Sequence, residues 1–99
     1  MRIKLPKVIA SEENLNEDSH VIISILNVIF NEIPEIFAKQ NNITYKLSNN
    51  KNYLLLKNID KKYYGLIKIC VKIIAGRTLY ENYRKELRKK IKEIRKNSY

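Results

Sequence analysis

The sequence predicts an α+β fold, a two-layer sandwich of an antiparallel sheet and helices in the order β-α-β-β-β-α, ending in a basic C-terminal helix. Three observations lead there. Val21 to Phe30 is apolar apart from Ser24 and Asn27, as a buried helix requires. Short or alternating apolar stretches at 43–47, 53–57 and 63–74 are separated by turn-rich joints, which suits an antiparallel meander. From Tyr80 onward, apolar residues recur every three or four positions against a dense basic back.

With 99 residues, 44 % of them hydrophobic and 30 % charged, residues 1–99 form a single ordered domain. The net charge is +10 and unevenly spread. Residues 1–10 carry three positive charges, residues 11–38 carry six negative and none positive, and residues 39–99 carry seventeen positive against four negative. Attraction between the acidic stretch and the basic remainder either ties the fold together or pairs two copies, and the excess faces solvent or an anion.

Along the chain, Ile3 and Leu5 alternate with Arg2, Lys4 and Lys7, and Val8 and Ile9 follow, which predicts a first strand. Pro6 has no donor and puts it at a sheet edge or a bulge. Glu12, Glu13, Glu17 and Asp18 gather ahead of a helix that begins near Asn14 to Ser19. His20, Ser24, Asn27, Asn31 and Glu35 form its narrow polar stripe. A helix so apolar is central to the core or has a face covered by another subunit. Pro34 either kinks it or opens a short helix through Lys39.

Ile43 to Leu47 and Tyr53 to Lys57 read as a hairpin around the turn Ser48 to Asn52. Tyr63 to Ile74 reads as a further strand, with Ile67, Ile69, Val71 and Ile73 on one face and Leu66, Lys68, Cys70 and Lys72 on the other. Gly76 ends it. Thr78 and Glu81 then have the spacing of a capping box for the last helix, whose apolar face is Tyr80, Tyr83, Leu87, Ile91 and Ile94.

The back of that helix is the candidate site. Arg84, Arg88 and Arg95 run along one flank, with Lys85, Lys89, Lys92 and Lys96 beside them. Such a face suits phosphate contact. Glu81, Glu86 and Glu93 offer intrahelical partners, but from Arg77 to Lys96 nine positive charges stand against three negative and leave most of the face unpaired. That suits a solvated or protein-contacting face as well as phosphate contact, with an anionic membrane surface as a third reading. The seven tyrosines, interleaved with Lys46, Lys57, Lys61 and Lys62, suit either a platform for unpaired bases or ordinary core and interface positions.

Catalytic and metal chemistry find little support. His20 is the single histidine, with no serine, cysteine or second histidine spaced to complete a nucleophilic or metal-ligating set. Cys70 is the single cysteine, so an internal disulfide is excluded and an inert buried thiol is expected. Glycine occurs only at 65 and 76, leaving no phosphate-cradling loop. No enzyme, cofactor, metal or small-molecule substrate is predicted. Met1 to Ala10 lacks the apolar core of a signal peptide, and Val21 to Phe30 is too short to span a bilayer.

From Asn14 onward, the order helix, three antiparallel strands, helix is similar to that of the double-stranded-RNA-binding domain. That family opens its last helix with a glycine-containing loop and a Lys-Lys-x-Ala-Lys run, whereas this chain reads Gly76-Arg-Thr-Leu-Tyr-Glu-Asn-Tyr-Arg84. Its contacts are therefore not carried over. Ile, Lys, Asn and Tyr supply about half the residues, as in Ile43-Thr-Tyr-Lys-Leu-Ser-Asn-Asn-Lys-Asn-Tyr53, while Gln, Met and Cys are nearly absent. In this the chain resembles the small uncharacterised proteins of filamentous viruses of hyperthermophilic archaea. The resemblance implies a viral or host-intracellular setting, in the host cytoplasm or the virion, and unusual stability.

The leading expectation is a non-enzymatic protein that binds nucleic acid or another polyanion without sequence specificity. The alternative is a homodimeric interaction or structural protein whose interface is the apolar helix 21–37.

Overall fold

The computed structural model describes residues 1–39, 42–76 and 80–97. The fold is α+β, a three-stranded antiparallel sheet with helices. Strand β1 (Arg2–Lys4) is followed by α1 (Lys7–Ala10), α2 (His20–Glu32) and α3 (Pro34–Lys39). The hairpin β2 (Thr44–Leu47) and β3 (Tyr53–Lys57) comes next, then a 3₁₀ turn (Lys61–Tyr63), α4 (Tyr64–Ala75) and α5 (Tyr80–Asn97).

The stretch Tyr63–Ile74 is not a strand. It is the last residue of the 3₁₀ turn and most of α4, so the predicted element order fails at its fifth position. Leu66, Ile67, Ile69, Cys70, Val71 and Ile73 are all buried, on both sides of the expected alternation, while Tyr64, Lys68 and Lys72 are exposed at four-residue intervals. That is a helical period with a narrow wet stripe. Asp60 opens the segment by accepting the Lys62 amide at 3.0 Å. With the last strand gone, the order shared with the double-stranded-RNA-binding domain is gone too.

The third seat in the sheet belongs to β1. The strand order is β1-β3-β2, with Arg2 opposite Leu55, Ile3 opposite Leu54 and Lys4 opposite Tyr53. β1 is an edge strand, as Pro6 requires. It is also shorter than the sequence suggests, because the Pro6 carbonyl accepts the amides of Ile9 and Ala10 and turns the chain into α1. In the hairpin, the Ser48 hydroxyl accepts the Tyr53 amide and donates to Asn50 Oδ1, and Lys51 takes a left-handed φ of 61°.

One core joins the elements. Ile3, Leu47, Leu54 and Leu56 point inward from the sheet, Ile22, Ile25, Leu26 and Ile29 from α2, and Leu87 and Ile91 from α5, around the buried side of α4. α4 packs against both α2 and α5. The Ser19 carbonyl accepts the Ile23 amide, so α2 begins just after the acidic cluster of Glu12, Glu13, Glu17 and Asp18. Pro34 divides the apolar helix: Ile33 leaves helical geometry at φ −128°, ψ 67°, and Pro34 starts α3. A proline at a first helical position loses only a donor that would be unpaired anyway.

Candidate nucleic-acid interface

Helix α5 holds the predicted site, and its packing sorts the seven basic residues into two groups. Leu87 and Ile91 are buried, and Tyr83 and Ile94 are partly buried against the core, so this much of the apolar face is as expected. The Tyr80 ring and the Thr78–Glu81 capping box lie outside the described residues. At the start of the helix, the Tyr83 ring covers Gly76, where an added Cβ would stand 2.9 Å from the ring and 3.1 Å from the Lys72 carbonyl oxygen.

Arg84 and Arg95 turn back to the body. Arg84 Nε and Nη2 donate to Glu32 Oε1 at 3.0 and 2.7 Å, and Arg95 Nε and Nη2 donate to Glu35 Oε2 and Oε1 at 3.1 and 2.7 Å. Planar guanidinium groups suit such two-point contacts. The two arginines are eleven residues apart, three helical turns, and so share one row. Glu32 ends α2 and Glu35 lies in the first turn of α3, and the chain's acidic and basic parts are joined here. The sequence held the spacing but not the partner. Glu32 also acts on Cys70: burial first, then the negative charge of Glu32, pushes the thiol up to about 12.

Lys85, Arg88, Lys89, Lys92 and Lys96 are exposed and face away from the core. At 100° per residue they fill one sector, from Arg88 beside the arginine row round to Lys89. Among the described residues, none of the five has a carboxylate within ion-pair distance, and the one intrahelical pair is Lys90 to Glu86 at 3.8 Å. Arg88, Lys92 and Arg95 also rim a notch of about 230 Å³ against Glu32 and Ile91.

The tyrosines do not form one platform. Tyr63 is buried, Tyr45 and Tyr83 are half-buried against the core, and Tyr64 is exposed on α4 with the Lys68 ammonium 5.5 Å from its ring centroid. Tyr53 faces outward from the centre of the sheet, beneath the Arg2 guanidinium. Tyr99 lies outside the described residues. The basic outer sheet face around Tyr53 was not legible in the sequence, because nothing local assigns Arg2 and Lys4 their neighbours.

His20 is exposed and borders a cleft of about 310 Å³ with Glu12, Val8 and Ser24. The Ser24 hydroxyl donates to the His20 carbonyl oxygen at 2.8 Å, so its proton is held by the helix rather than by an imidazole. No group of three His, Cys, Asp or Glu side chains among the described residues is placed to hold a metal ion, and no described helix is long and apolar enough to cross a membrane.

The apolar side of helix 21–37 is spent inside the chain: Ile22, Ile25, Leu26, Ile29, Ile33 and Ile36 are all buried. Among the described residues, the large hydrophobic side chains left exposed are Val8 and Tyr64. Compared with protein-family models, curated proteins and solved structures, the chain finds no match.

Proposed function

We propose that this chain is a non-enzymatic protein that binds nucleic acid without sequence specificity, through the solvent side of α5. The observation that carries the reading is the division of labour among the basic residues. Arg84 and Arg95 hold the helix to Glu32 and Glu35, while Lys85, Arg88, Lys89, Lys92 and Lys96 stand exposed on one continuous strip. From Lys85 to Lys96 the strip is about 16 Å long at 1.5 Å per residue. DNA carries one negative charge per ~1.7 Å of duplex axis, so a strip of that length meets several phosphates at once. The side chains are long and flexible, which suits phosphate contact rather than base readout.

The test is anisotropy of labelled duplex DNA, duplex RNA and single-stranded DNA at about 50 and 200 mM salt, where neutralising several phosphates should cost on the order of 10³ in affinity. Replacing Arg88, Lys92 and Lys96 together with alanine should weaken binding and lower the log–log salt slope by about 0.9 for each phosphate no longer neutralised. Affinity and slope unchanged in the triple variant would sink the reading.

A further inference from the structure

The pleat of the sheet sends Ile3, Leu54 and Leu56 into the core and turns Arg2, Lys4, Lys46, Tyr53, Leu55 and Lys57 to the opposite side. All four charged side chains that the strands place on that outer face are cations. Register makes the arrangement specific. Arg2 and Lys46 flank Leu55 across the three strands, and Lys4 stands opposite Tyr53. The central strand thus supplies a ring and an apolar floor, and the edge strands supply much of the charge.

Arg2 and Tyr53 already show how the face receives a cation-bearing planar group: the guanidinium carbon lies 4.4 Å from the ring centroid. Beside them lies a dish of about 410 Å³, lined on one side by Asn49 and Asn50 of the hairpin. The positive field continues past the sheet edge. Lys4 borders a second groove, about 430 Å³, with Lys7 of α1 and Lys68 and Lys72 of α4. Glu17 sits at the β2 end of the track, where its Oε1 accepts the Leu47 amide at 2.9 Å.

We infer that the outer face of the sheet is a second binding surface, for single-stranded nucleic acid, with a base stacked at Tyr53 and the backbone running along Lys46, Arg2 and Lys4 to the lysine groove. A base would take the place now held by the guanidinium, and Arg2 would move to an adjacent phosphate. Duplex DNA hides its base faces, so a ring and a leucine floor give it nothing. A single strand offers both a base face and a charge at each step. An acidic peptide would match the charge but leave the ring and dish unused. The inference does not rest on phosphate binding by α5.

The test uses the full chain with a labelled oligothymidylate of about 20 nucleotides and a duplex of about the same length, at roughly 50 mM salt. Tyr53→Ala and Lys46→Glu should each weaken oligothymidylate binding about 5-fold or more and leave duplex binding within about 2-fold. The double variant Lys89→Ala/Lys92→Ala should weaken duplex binding and act on oligothymidylate binding by a smaller factor than either sheet substitution does. Photo-crosslinking of a 5-iodouracil oligonucleotide to the unsubstituted chain should map to Tyr53, and this needs no variant to fold. Absence of oligothymidylate binding, indifference to both sheet substitutions, equal displacement by polyglutamate, or crosslinks confined to α5 would each overturn the inference. Failure of the α5 reading looks different, since it leaves the Lys89/Lys92 variant unchanged on duplex while the sheet variants still respond.

Discussion

Glu17 is a single surface residue with a long reach, for its carboxylate accepts the amide of Leu47 thirty positions away on the free edge of β2. That hydrogen bond and then its own backbone amide hold its carboxyl below the ordinary value of 4.5; burial opposes them, and the positive charges of Lys46 and Lys51 add a weaker pull in the same downward direction. A carboxyl depressed in the folded state stabilises above its unfolded pKa, and the contribution disappears as the pH falls through the folded value. Glu17→Gln should therefore melt below the parent chain at pH 7, and the gap should close on acidification below about pH 4.5. A gap that stays constant from pH 7 to pH 3 in a thermal-melt series would mean that the carboxylate charge does not matter. Glu17 was legible in the sequence only as part of an acidic cluster near a helix start, because its partner is a backbone group on a strand that local pattern cannot bring near.

Helices α2, α4 and α5 are held by packing, and the arginine row adds two ties whose worth depends on burial. The Glu32 side chain retains 16 % of its exposure and Arg84 34 %, so removing either takes two charge-assisted hydrogen bonds from a partly buried charge. Arg84→Ala should cost about 1 to 3 kcal/mol, and Arg88→Ala, on the solvated strip, less than about 0.5 kcal/mol. A double-mutant cycle with Glu32→Ala isolates the pair, and a coupling near zero would show that the tie contributes nothing. What the sequence revealed about these elements follows the same division. The hairpin, the edge strand, the start of α2 and the apolar face of α5 were legible because turn residues, prolines and periodicity mark them locally. Tyr63–Ile74 was misread because Ile67, Ile69, Val71 and Ile73 alternate and favour strands, and because burial on most sides hides the helical period. Its length of about twelve residues and the Tyr64, Lys68, Lys72 spacing were the available warnings.

For the whole molecule, a net charge of +10 on 99 residues predicts that salt acts on folding and on the proposed binding in opposite directions. Screening relieves self-repulsion of the compact state more than it weakens the ion pairs of Arg84 and Arg95, because repulsive pairs outnumber attractive ones. The melting temperature should rise between about 20 and 200 mM sodium chloride, while affinity for duplex DNA falls over the same range. A melting temperature that drops with salt would place the stabilising weight on the two ion pairs instead. The candidate site was half legible at this scale. Charge density pointed to α5, but which cations stay exposed depends on where Glu32 and Glu35 are packed, and the outer sheet face depends on a strand order no local signal encodes.

That strand order also sets a sequence of events for a growing chain. β3 is the central strand, yet the pairing of Arg2 with Leu55 closes a loop of more than fifty residues, so β1 waits for its template until those residues have been made. Chains grow at about 5 to 20 residues per second, which leaves Ile3 and Leu5 without their sheet for several seconds. A short turn joins β2 to β3, so the hairpin closes at the smaller entropic cost, and the backbone of β3 keeps an open edge until β1 pairs with it. Lys46 and Lys57, which the hairpin already carries, then keep nascent copies apart by repulsion, a protection that precedes any ligand the finished surface holds.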